Sequence, residues 1–88
     1  MPEFTVVFTE KAHKDLSTLP EHEKDHIHLS CIRLESNPHP DGKHIKKLKG
    51  YKDMYRLRIG DYRAILDIDN NRLIILVIKV GHRRNIYK

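Results

Sequence analysis

One cysteine, no tryptophan and no long apolar run in 88 residues remove several classes of protein at once. Cys31 alone can form no internal disulfide, so stapled secreted scaffolds are excluded and a reducing compartment, the cytoplasm, is the expected home. No stretch approaches the ~20 apolar residues that a membrane-spanning helix needs. Met1-Pro2-Glu3-Phe4 lacks the basic start and apolar run of an export signal, so neither membrane nor export is expected. There is no repeat and no low-complexity tract. Acids are scarce in one half only: from residue 43 onward 13 Lys or Arg face 4 acids, whereas residues 1 to 42 hold 4 against 8, so the halves carry about +9 and −4. Such charge, if borne on strands, is a fixed array of donors able to hold phosphates in register. The length allows a single domain, 1–88, with a core near the lower limit for folding unaided.

Residues 4–8 are β-branched and aromatic and short enough for one buried strand. Thr9 offers an N-cap. Ala12, Leu16 and Leu19 recur at i, i+4 and i+7, the stripe of a first helix that must end at Pro20. Pro20 can open a second helix at its first turn, in which Ile27, Cys31 and Leu34 repeat the spacing until Asn37-Pro38 stops it. A loop with Pro38, Pro40 and Gly42 marks the charge boundary, and 43–49 follows as a basic segment anchored by Ile45 and Leu48. Three strand patterns, 54–59, 62–68 and 73–80, are joined by Gly60-Asp61 and Asn70-Asn71, both two-residue hairpin signals. The expected class is α+β: an N-terminal strand, an antiparallel two-helix hairpin, and a three-stranded antiparallel meander forming one sheet.

With Gly60 and Asp61 as loop residues, Ile59 faces Tyr62, Arg58 faces Arg63, Leu57 faces Ala64 and Arg56 faces Ile65. One face then collects Leu57, Ile59, Tyr62, Ala64, Leu66 and Ile68 with Leu73, Ile75 and Val77, a core for helices to cover. The other collects Arg56, Arg58, Arg63 and Asp67 among Met54, Ile65, Ile74, Leu76 and Ile78. Like charges opposed across strands destabilise by a few tenths up to roughly 1 kcal/mol, so an Arg58/Arg63 pair asks for an anion to complete it. The alternative is that each arginine reaches water or pairs with Asp53, Asp61 or Asp67.

The whole pattern, with its ending Val80-Gly81-His82-Arg83-Arg84-Asn85-Ile86-Tyr87, resembles the RelE/ParE toxins of prokaryotic toxin-antitoxin systems. The specific pieces are Leu48-Lys49-Gly50 with Tyr55-Arg56-Leu57-Arg58, then Gly60-Asp61-Tyr62-Arg63, and last Val80-Gly81-His82-Arg83 with Tyr87. They favour the RelE-like branch. The resemblance implies a ribosome-dependent, metal-free endoribonuclease of messenger RNA that inhibits translation, needs no cofactor and is silenced by a cognate antitoxin. A ParE-like member would instead inhibit DNA gyrase, and a degenerate one would have lost activity. The resemblance places the two basic positions of the first meander strand on Arg56 and Arg58, the transition-state arginine on Arg63, the leaving-group arginine on Arg83 and the substrate-stacking tyrosine on Tyr87. The best-studied RelE has lysines where Arg56 and Arg58 stand; a guanidinium neutralises charge but accepts protons poorly, which leaves the general base open.

Cleavage without a metal needs three things: a proton removed from O2′, charge stabilised on a pentavalent phosphorane, and a proton delivered to O5′. Arg63 flanked by Arg58 suits the second task, because planar guanidiniums match phosphate oxygens. His82 stands beside Arg83 as candidate proton donor, since imidazole ordinarily titrates near neutrality. Lys43, Lys46, Lys47, Lys49 and Lys52, with Arg84, are candidate contacts to RNA backbone, or else a solvated face. Tyr51, Tyr55 and Tyr87 are candidate stacking rings, although Tyr55 and Tyr62 fall on the core face. His22 and His26, at i and i+4, make half a zinc site with no second pair at suitable spacing, and Cys31 reads as core rather than nucleophile. The basic chain with a partly apolar sheet face implies an acidic antitoxin as partner, beside the ribosome and its message.

Overall fold

The computed structural model describes residues 3–38 and 42–86. Five strands form one sheet in the order β1-β5-β4-β3-β2: β1 is Thr5–Phe8, β2 Ile45–Lys47, β3 Met54–Ile59, β4 Tyr62–Asp69 and β5 Ile74–His82. Helices α1 (Glu10–Ser17) and α2 (Glu21–Ile32), the latter running into a 3-10 turn at Arg33–Glu35, pack on one face of the sheet. Thr9 caps α1, its hydroxyl oxygen accepting the Ala12 N–H at 3.1 Å. Pro20 stands at the N-cap of α2, just before the first-turn position that its fixed φ also suits. The stripes Ala12/Leu16 and Ile27/Cys31/Leu34 meet Leu57, Leu66, Ile75 and Val77 in one buried cluster. Leu19, beyond the end of α1, closes over it.

The β3–β4 hairpin has the register expected from its turn, with Ile59 opposite Tyr62, Arg58 opposite Arg63, Leu57 opposite Ala64 and Arg56 opposite Ile65. Gly60 takes φ +58°, left-handed backbone that a side chain would oppose and that a tight two-residue hairpin requires.

Three features depart from the expectation. The basic segment contributes a strand: β2 pairs antiparallel with β3, Ile45 lying opposite Leu57 and buried with it. Three residues and two lysines make it the kind of short, charged edge that resists further strand addition. The second meander turn spans four residues rather than Asn70-Asn71 alone, since Asp69 pairs with Ile74. The Asp69 carboxylate accepts the N–H groups of Asn71 and Arg72 at 2.9 and 3.0 Å, and this local bonding supersedes the shorter turn. Leu73 therefore leaves the strand, with φ +57°.

The third departure is a bulge in β5. Leu66 pairs with Val77 but Ile65 pairs with Lys79, leaving Ile78 as an extra residue. β1 runs parallel to β5 only as far as Phe8 opposite Val77, and α1 takes over the edge from there. The Thr9 hydroxyl donates to the Ile78 carbonyl at 2.6 Å, and the Asp15 carboxylate accepts the Val80 N–H at 3.0 Å. Both groups lie past the end of β1 and are satisfied there by α1 and its cap. Beyond it the alternation is reset, so Val80 joins the helix-side core and Lys79 faces the opposite way.

Thr9 thus holds both a helix start and a bulge. Thr9→Val is expected to lower stability by about 1–2 kcal/mol, within the range for losing an N-cap, and Thr9→Ser to restore most of it, as read by urea unfolding.

Candidate nucleic-acid interface

The sheet face away from the helices is organised in rows. Lys46, Arg56, Ile65 and Lys79 lie side by side across four strands, and Arg58, Arg63 and Gly81 form the next row. Farther along, Met54, Asp67, Leu76 and Val7 form a third. Five cationic side chains thus rise from one surface that no described helix covers.

The Gly60-Asp61 turn gathers two of the arginines. Nη1 of Arg63 donates to the carbonyls of Gly60 and Tyr62, both at 2.8 Å. The Arg83 backbone N–H donates to the Asp61 carbonyl at 2.8 Å, and Arg83 Nε lies 3.8 Å from the Asp61 carboxylate. The chain after β5 folds back on itself, Asn85 and Ile86 donating their N–H groups to the His82 carbonyl at 2.8 and 3.0 Å. Gly81 admits this turn: a Cβ there would lie 3.2 Å from Cδ1 of Ile86, tighter than ordinary contact. Arg56 is placed differently. Its Nε is buried and, among the described residues, has no acceptor, an arrangement that costs about 1–3 kcal/mol or more for a charged group.

His82 does not share this patch. It lies opposite Tyr62, on the helix-side face, with ring centroids 5.7 Å apart and edge-on. Its Nδ1 accepts the Arg84 N–H at 3.2 Å, so in the neutral ring the proton sits on Nε2. Of the basic segment, Lys46 joins the arginine rows, whereas Lys47 pairs with Tyr55 and points to the other side. Lys43, Lys49 and Lys52 are exposed around β2, as is Arg84 beyond β5. Tyr87 lies outside the described residues. Tyr55 and Tyr62 pack against the core, while Tyr51 is 63% exposed. Lys79 is the cation that sequence reasoning missed, although the spacing of Ile75, Val77 and Val80, two steps and then three, is the mark of a bulge.

Comparison with known proteins matches the chain to a family. Residues 6–87 fit the family described as ParE toxin of type II toxin-antitoxin system, parDE. Toxin RelE3 of Methanocaldococcus jannaschii is 37% identical, with 93% of each chain covered. The chain belongs to the RelE/ParE toxin family. Among solved structures, the RelE-RelB complex of Pyrococcus horikoshii is 30% identical over 97% of this chain and 99% of that one, with a TM-score of 0.80. The RelBE2 toxin-antitoxin complex of Mycobacterium tuberculosis is 26% identical over 92% and 99%, again with a TM-score of 0.80.

Two groups of this RelE-like toxin stay outside the interface. Around His22 and His26 no set of three metal-binding side chains assembles among the described residues. Cys31 has no exposed surface, and burial pushes its thiol from 9.0 up to about 12. Because the folded-state value is raised, the stability it reflects is full below pH 9 and is lost as pH climbs toward 12. The native thiol is expected to ignore a disulfide reagent at pH 8 and to react on unfolding. Cys31→Ala should flatten the alkaline loss of stability relative to wild type, by up to about 1.4 kcal/mol per pH unit in that window.

The opposed arginines make a second expectation. Replacing Arg58 by Thr removes a like-charge pair and adds a good strand former, so stability should rise by a few tenths up to roughly 1 kcal/mol. Affinity for RNA should fall in the same variant; both are read from thermal unfolding and filter binding.

Proposed function

We propose that this toxin is a ribosome-dependent endoribonuclease that cuts messenger RNA without a metal and so arrests translation. The observation that carries the reading is Arg58 directly opposite Arg63 on a face that no described helix covers, two residues along β3 from a further cation, Arg56. Opposed guanidiniums raise the free energy of the unliganded sheet, and a phosphate between them relieves it.

In the proposed reaction the 2′-oxygen attacks the adjacent phosphorus, the P–O5′ bond breaks, and a 2′,3′-cyclic phosphate and a 5′-hydroxyl result. Arg58 and Arg63 hold the non-bridging oxygens as their charge grows in the phosphorane. Arg63 is already oriented by the Gly60 and Tyr62 carbonyls, and such preorganisation is the larger part of electrostatic catalysis. Arg83, tethered to Asp61 beside it, donates to O5′ in this reading. His82, on the helix-side face, fits that role less well than Arg83. Arg56 neutralises substrate charge, and Tyr87 is assigned to stacking on the substrate by the family pattern. The proton on O2′ has no acceptor among these arginines, so the surroundings of the message must supply one. That is a physical reason for dependence on the ribosome, which also holds the message in an in-line geometry. Lys43, Lys46, Lys47, Lys49, Lys52 and Arg84 serve as contacts to ribosomal RNA backbone. The setting is the cytoplasm, where ribosomes are.

A cognate antitoxin completes the reading. The related toxins of Pyrococcus horikoshii and Mycobacterium tuberculosis were solved in complex with their antitoxins. Here Val7 is 42% exposed and shares the outer face with Leu76 and Ile74, an apolar margin suited to being covered. A net charge of +5 suits an acidic partner.

The second reading, inhibition of DNA gyrase, is the one a ParE-like member implies, and the matching family is described as ParE toxin. Primer extension on messages after brief induction separates the two. Cut transcripts with normal DNA supercoiling are expected, with cutting reduced about 10²- to 10³-fold by Arg63→Ala; intact transcripts with inhibited gyrase would reverse the assignment.

A further inference from the structure

We infer that an apolar concavity beside Arg56 is a subsite for a nucleobase, belonging to a nucleotide whose phosphate the arginine rows hold; the inference rests on the nuclease reading above. The concavity measures about 260 Å³ and is lined by Leu48, Tyr51, Met54, Ile65, Ile78 and Lys79. Its floor is built independently of the main core. Ile65 is only 4% exposed yet stands outside the cluster under the helices, so its cover comes from the outer side.

The surroundings say what the cavity suits. Ile65 sits between Arg56 and Lys79 in the sheet register, so an apolar floor adjoins two cations. A ligand that is flat and apolar in one part and anionic in the next satisfies this combination, and a nucleotide is such a ligand. Tyr51, 63% exposed, supplies a ring at the rim, and stacking on an aromatic side chain is tolerant of base identity. Lys79 can donate to acceptor atoms on a base edge, as an ammonium carries three donors and no acceptor. The bulge brings two walls together, since Ile78 and Lys79 line the same cavity although they are neighbours in a strand.

The test compares adenosine 3′-monophosphate with ribose 5-phosphate, each titrated into the full ¹⁵N-labelled chain. Both ligands should shift amides around Arg56, Arg58 and Arg63, and only the nucleotide should also shift those of Tyr51, Ile65, Ile78 and Lys79. Tyr51→Ala, at an exposed position that the fold tolerates, should weaken the nucleotide about tenfold. Identical maps for the two ligands would overturn the subsite. A Tyr51→Ala chain that releases the antitoxin but binds nucleotide as wild type does would also overturn it, making the concavity a protein groove. On programmed ribosomes, the same substitution should redistribute cuts among codons. An unchanged cutting pattern would remove the subsite and leave the nuclease standing. No cutting by wild type, with the nucleotide still mapping to the cavity, would remove the nuclease and leave the binding site.

Discussion

The bulge at Ile78 fixes the parity of everything that follows it in the chain. A strand alternates faces with a period of two, so one inserted residue moves every later side chain to the other side. Without it Lys79 would point into the core and Val80 out of it. The strand around the insertion is held by α1 and its cap, through the Thr9 hydroxyl on the Ile78 carbonyl and the Asp15 carboxylate on the Val80 N–H. Asp15 is itself held by Lys11 one helical turn away. The geometry of the cationic face, including where Arg83 meets the Gly60-Asp61 turn, therefore depends on a helix packed against the opposite side of the sheet.

That division of labour explains how so small a domain carries a self-repelling surface. The helix-side face is close to pure hydrocarbon, with Leu66, Ile75 and Val77 fully buried and no buried polar or charged residue among those described. Burial there supplies the stability, at roughly 25 cal/mol per Å² of apolar surface. The outer face draws on it through opposed arginines and an Arg56 nitrogen with no acceptor among the described residues. Its edges are handled separately. The Glu35 carboxylate and carbonyl accept the N–H groups of Val6 and Phe4 at 2.9 and 3.1 Å along β1, and β2 is short and lysine-bearing.

Local causes were legible in the sequence and distant ones were not. The arginine register could be read because Gly60-Asp61 is a turn whose length alone sets which residues face each other. The two helices could be read because Pro20 and Thr9 act on their own neighbours. The bulge left only one local trace, the two-then-three spacing of Ile75, Val77 and Val80, because its supports lie 69 and 65 residues from it in the chain. With it went the side of the sheet on which His82 falls, and the role of Lys79. Strand β2 was hidden because two lysines in three residues read as a loop until Leu57 is seen to need Ile45 as a cover. The longer second turn was hidden because Asp69 competes with Asn70-Asn71 for the same backbone groups.

Arginine on β3 suits the role proposed for the face. A guanidinium keeps its charge throughout the physiological range and presents donors in a plane, so it binds phosphate with the same strength at pH 6 as at pH 8. A lysine in the place of Arg56, with its nitrogen buried, would be driven toward the neutral form by desolvation and by the cations around it. It would then gain a basic lone pair and lose part of its grip on phosphate. With arginine at both 56 and 58 the face is committed to holding charge rather than moving protons. On the proposed nuclease reading, any dependence of cutting on pH near neutrality must then originate outside these two side chains, in the message, in its ribosomal surroundings or in another group of this toxin.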